Sequence, residues 1–126
     1  MAKPYKEGRW HDLESLLALV ESAWFAEERP LTVRSKNYDG DTPLHTVVRW
    51  EDRRGVEVLI KAGADVNACG EDDYRPLHEA ARNNLPEIVE LLLKSGADTD
   101  VKNAFGKTPL DLAKLHKYDA VIKILA

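Results

Sequence analysis

Three short stretches of the chain repeat at a spacing of 33 residues. Thr42-Pro43-Leu44-His45 returns as Arg75-Pro76-Leu77-His78 and again as Thr108-Pro109-Leu110-Asp111, and Gly63-Ala64-Asp65-Val66-Asn67 returns as Gly96-Ala97-Asp98-Thr99-Asp100. A fixed period in this range specifies a stack of small similar units rather than one closed core. Such a stack builds a surface, and only rarely a catalytic pocket.

Each unit reads as two short helices followed by an excursion. In the middle unit Pro76 stands where a helix can begin, since the N–H it lacks is one the first turn leaves unpaired. Leu77, Ala80 and Ala81 then fall on one face. Asn83-Asn84 breaks the run, Pro86 opens a second helix with Ile88, Val89, Leu92 and Leu93 on its apolar side, and Gly96 ends it. The preceding unit repeats this with Leu44, Val47 and Val48, then Val56, Leu59 and Ile60. The last unit has Leu110 and Ala113, then Val121, Ile122 and Leu125. Helices this short are marginal alone, so each unit must bury its face against the next. The linking turns place Gly40 and Gly106 two residues before Thr-Pro, where a reversal needs positive φ. The middle turn has Asp73 there, a residue that tolerates the left-handed region better than most.

The signature, the Gly-Ala-Asp and the period together resemble the ankyrin repeat family over roughly residues 37–126. The resemblance implies a mainly α solenoid of stacked helix–turn–helix units with projecting β-hairpin loops. The expected organisation is one domain: a tail at 1–8, a degenerate capping repeat at 9–36, repeats at 37–69 and 70–102, and a truncated C-terminal capping repeat at 103–126. Trp10, Leu13, Leu16, Leu17 and Val20 have helical spacing, and Trp24-Phe25 continues toward a second helix before Pro30. Trp10, Trp24 and Phe25 are assigned to the cap's core. Three departures stand out. Arg75 replaces a Thr, Asp111 replaces a His, and Gly55 replaces a large aliphatic, which marks the first complete unit as a soft spot.

The resemblance also implies binding of another protein through the residues flanking each turn and two positions late in each inner helix. These fall on Tyr38, Asp39, Asp41, Arg49 and Trp50, then on Glu71, Asp72, Tyr74, Arg82 and Asn83, and last on Ala104, Phe105, Lys107 and His116. Aromatic residues and arginine dominate binding hot spots, so Trp50, Tyr74 and Phe105 are expected to stand exposed around a concave face. The other reading packs Trp50 on the N-terminal cap and Phe105 on its own hairpin. Within binding, a second possibility is an antagonist that blocks a specific enzyme or toxin. A third role is a structural piece of a longer array or a self-associating unit.

Other chemistry finds little footing. His45 and His78 occupy one slot of the repeat without ligand-spaced partners, and the family uses this His to tie loop backbone between units. His78-Glu79 lacks the second His of a zinc-protease helix, Arg82 standing at that position. No phosphate-binding glycine loop or nucleophile elbow is present, so no enzyme activity, cofactor or metal is expected. The net charge of −4 disfavours nucleic acid and anionic lipid. No run approaches the roughly 20 apolar residues of a membrane span, no export signal is read, and lone Cys69 fits a reducing compartment. A monomeric cytoplasmic protein is expected.

Overall fold

The computed structural model describes residues 10–24 and 30–126. Among the described residues seven α-helices follow one another: α1 (Leu13–Trp24), α2 (Pro43–Arg49), α3 (Arg53–Lys61), α4 (Pro76–Arg82), α5 (Pro86–Lys94), α6 (Pro109–Leu115) and α7 (Asp119–Leu125). Among the described residues there is no strand. The tail, Phe25 and the helix expected to begin there lie outside the described residues.

The helices pair as α2 with α3, α4 with α5 and α6 with α7, and the pairs stack in two rows. The inner row is α2, α4, α6, and the outer row is α3, α5, α7. Pro opens α2, α4, α5 and α6, as its missing N–H and fixed φ allow. Between the two helices of each pair stands one residue with positive φ: Glu51 (61°), Asn84 (57°) and Lys117 (58°), again 33 apart. Gly63 and Gly96 supply the left-handed residue after α3 and α5.

Leu44, Val47, Val48, Val56, Leu59, Leu77, Ala80, Ala81, Val89, Leu92, Ala113 and Val121 are fully enclosed in a core continuous through the stack. Each large one stabilises the fold by about 1.5–3 kcal/mol relative to exposure. Ala80 and Ala81 let α4 lie close to both inner-row neighbours. At the N-terminal end α1 packs on α2 and α3 with Leu16, Leu17 and Val20 inward. Trp24 Nε1 donates to Thr46 Oγ1 at 2.9 Å and Trp10 Nε1 to Asp52 Oδ2 at 2.8 Å.

The expectation of a soft spot at Gly55 fails on packing grounds. Gly55 is buried, and a Cβ added there would lie 2.7 Å from Val47 Cγ1 and 3.1 Å from Asp52 Cγ. The space of the missing aliphatic is filled by Asp52, whose carboxylate caps α3 through the Gly55 N–H at 3.0 Å while holding Trp10. Arg54 closes the assembly from outside, 4.4 Å above the Trp10 ring. Gly55→Leu is therefore expected to lower stability by about 1–3 kcal/mol through overpacking, despite its better helix propensity. A urea midpoint equal to or above that of the unaltered protein would show the space was available after all.

Candidate functional site

The excursions between units end in three tips, residues 37–41, 70–74 and 103–107. Each closes on one backbone bond: Asn37 N–H to Asp41 O (2.9 Å), Gly70 N–H to Tyr74 O (2.8 Å) and Asn103 N–H to Lys107 O (2.9 Å). In the first and third tips an Asn side chain organises the turn. Asn37 Oδ1 accepts from the amides of Asp39 and Asp41, and Asn103 Oδ1 from those of Phe105 and Lys107. The middle tip has Gly70 in that slot and no such side chain; a different amide is held from the neighbouring unit, Asp41 Oδ1 accepting the Glu71 N–H at 2.9 Å. A Cβ on Gly70 would collide with that carboxylate and stand 2.7 Å from His45 Nε2. Asp72 and Asp73 both take positive φ, 54° and 60°, so Asp73 does substitute for the turn glycine. Asp72 O accepts from Ala104 N–H at 2.9 Å, which joins the second tip to the third. The tips thus form one continuous rim.

Below the rim lies a chain of charges. Arg49 donates to Asp41 Oδ2 at 2.8 Å and to Glu79 Oε1 at 3.2 Å, and Arg82 donates to Glu79 Oε2 at 3.0 Å. Burial opposes ionisation of Asp41, but the Glu71 amide and Arg49 outweigh it and hold the carboxyl below its ordinary range. Burial pushes Glu79 up, only partly offset by Arg49 and Arg82. The carboxylate of one unit and that of the next therefore share one guanidinium.

Of the residues expected to meet a partner, Tyr38, Asp39, Glu71, Asp72, Phe105, Lys107 and His116 are exposed, while Arg49, Arg82 and Asn83 are half-buried. Trp50, Tyr74 and Asp41 are corrections. Trp50 is only 6% exposed and belongs to the core, in one buried cluster with Trp10, Leu16, Leu17 and Val20. Tyr74, 9% exposed, is enclosed by the His78 ring at 5.5 Å and the Arg82 guanidinium at 4.9 Å. Asp41 is buried by its bonds to Arg49 and Glu71. Phe105 stands 65% exposed, which disposes of its packing on its own hairpin.

Sequence reasoning missed Leu115, 68% exposed at the end of α6. It lies 33 residues beyond Arg82 in the very slot of Arg49 and Arg82, so the register held the signal. Glu79 was also missed as the hub of the charges. Its slot holds Thr46 and Leu112 in the other units, and a carboxylate beside three apolar neighbours could have flagged it.

The two histidines act on backbone. His45 Nδ1 accepts from Thr42 N–H (3.2 Å) and its Nε2–H donates to Tyr74 O (2.8 Å); His78 does the same with Arg75 N–H (3.0 Å) and Lys107 O (3.0 Å). Burial lowers both pKa values, partly offset by those carbonyls, so the neutral rings are the ones that fit. Arg75, without the Thr hydroxyl, reaches instead to Asn67 O at 2.8 Å. Asp111 exchanges reciprocal bonds with Thr108 at 3.0 and 3.1 Å, which hold its carboxyl below the ordinary range. Burial and the adjacent Asp73 push the Cys69 thiol up, away from a reactive thiolate. Among the described residues no three His, Cys, Asp or Glu are grouped to hold a metal ion, and no helix is long and apolar enough to cross a membrane.

The family model for ankyrin repeats matches residues 11–103 and 56–126, in three copies. Ankyrin repeats are in general protein–protein interaction modules and typically non-catalytic. With the 33-residue period, the paired-helix stack and the histidine ties between successive units all in agreement, the chain belongs to the ankyrin repeat family.

Proposed function

We propose that this chain is a non-catalytic module that binds another protein along the rim of tips and the α6 end of the inner row. The observation that carries the reading is where large apolar side chains meet water. Among the described residues these are Tyr38, Phe105 and Leu115, two on tips and one in the inner-helix slot. Exposed apolar groups gathered at such slots mark an interaction surface, and truncating a central aromatic anchor typically costs 2 kcal/mol or more of binding. The inner-row charges contribute less, because Arg49 and Arg82 are already committed to Asp41 and Glu79. In this reading residues 9–36 and 103–126 serve as the capping units that shield the two ends of the stack.

The test compares immobilised unaltered protein with the variant Tyr38→Ala, Phe105→Ala, Leu115→Ala in capture from the source cytosol, quantified by mass spectrometry. A partner retained by the first should fall about tenfold or more on the second, with circular dichroism unchanged. Equal retention on both would sink the proposed surface.

A further inference from the structure

We infer that the rim receives a cationic segment of the partner protein, with Lys or Arg side chains set between two apolar ones; this rests on the binding reading above. The bonds from Asp41 to Glu71 and from Asp72 to Ala104 fix the order of the tips. Along the rim this order places fully exposed Tyr38 on one side, exposed Glu71, Asp72 and Asp73 in the middle, and exposed Phe105 on the other side. The surface is therefore aromatic, acidic, aromatic.

The middle carboxylates differ from those beneath them. Asp41 and Glu79 are neutralised by Arg49 and Arg82. Among the described residues no cation lies within ion-pair distance of Glu71 or Asp72, and Asp73 accepts only the Cys69 thiol, at 3.1 Å. Of the rim's side chains only Lys107, on the third tip, is cationic. Lys36 and Arg75 flank the tips and act on Cys69 beside Asp73, but neither forms an ion pair with the three exposed carboxylates. Negative charge therefore remains exposed between the two rings, and a partner complementary to it carries positive charge at that point. Packed helices lie roughly 8–10 Å apart, so the outer tips are about 20 Å apart, and an extended segment at about 3.3 Å per residue covers this with about six residues. The rings supply affinity and the carboxylates supply selection and speed of encounter.

The test is selection of phage-displayed random dodecapeptides on the folded protein, followed by titration of the synthetic winners. Enriched peptides should carry two or more Lys or Arg between apolar residues. Their affinity should fall about tenfold or more on Phe105→Ala, equally on the triple variant Glu71→Gln, Asp72→Asn, Asp73→Asn, and steadily with added salt. Asn suits the positive φ of both Asp positions, and circular dichroism checks that each variant folds. Neutral or acidic winners that still require Tyr38 and Phe105 would overturn the charge assignment and leave the binding surface standing. Winners indifferent to both aromatics, or no winners, would overturn both.

Discussion

Arg49→Met is expected to remove about 3–5 kcal/mol of stability at neutral pH, the cost of stripping a buried ion pair of one partner. Methionine keeps much of the buried stem but leaves Asp41 and Glu79, both enclosed, without the guanidinium they share. The pH dependence has a definite sign. Asp41's carboxyl is held below its ordinary value of 3.8, so its contribution is present above that value and lost as pH falls through the folded one. Glu79 lies above its ordinary 4.5, so its ionisation weakens the fold as pH rises through the folded value. Removing Arg49 takes away the first offsetting cation and pushes Glu79 further up. The stability gap between the two proteins should therefore narrow as pH falls from neutral, as Glu79 in the variant takes up a proton and needs no cation. Urea unfolding at several pH values measures it. A gap that is constant, or that widens on acidification, would contradict the shared-cation account.

Trp50→Ala should be comparably severe, about 3–5 kcal/mol, against a total stability of roughly 5–15 kcal/mol for a domain of this kind. The indole is enclosed in the cluster that includes Trp10, Leu16, Leu17 and Val20, and truncation leaves a cavity there. Phe105→Ala, by contrast, removes a ring that stands in water and should change stability by no more than about 0.5 kcal/mol. Thermal or urea melts of the two variants side by side separate a core aromatic from a surface one. A Trp50→Ala protein that melts like the unaltered one would return that residue to the candidate surface.

The contrast between those two aromatics shows what the sequence discloses. Period and helix signals lead directly to the paired helices, the Pro starts and the apolar residues of the core, because these follow from local geometry repeated at one register. The Asp73 turn and the structural use of His45 and His78 follow in the same way. Exposure does not. Trp50, Asn83 and His116 share a slot yet run from buried to exposed, since burial there depends on what covers each end of the stack. Gly55 misled for a related reason. Its meaning lies in Val47 and Asp52, which fill the space beside it, and in Trp10, which holds Asp52 from outside the repeat pattern and which no register predicts. Leu115, by contrast, is legible along the row: it breaks the run of arginines set by Arg49 and Arg82 in the same slot.

The carboxylate that Asp41 lends to Glu71 has a consequence for how such an array can change. The unit at 37–69 lends a carboxylate to the tip that follows it, and the unit at 70–102, with Gly70 in place of Asn to receive it and Tyr74 in the Asp41 slot, lends only the backbone carbonyl of Asp72. Transposing the two would set an asparagine side chain where the incoming carboxylate needs empty space, and would leave the Glu71 amide without its acceptor. The units are alike in backbone but not interchangeable: their sequence of assembly is written into a single pair of unlike residues, and any duplication or shuffling of this stack must carry that pair together.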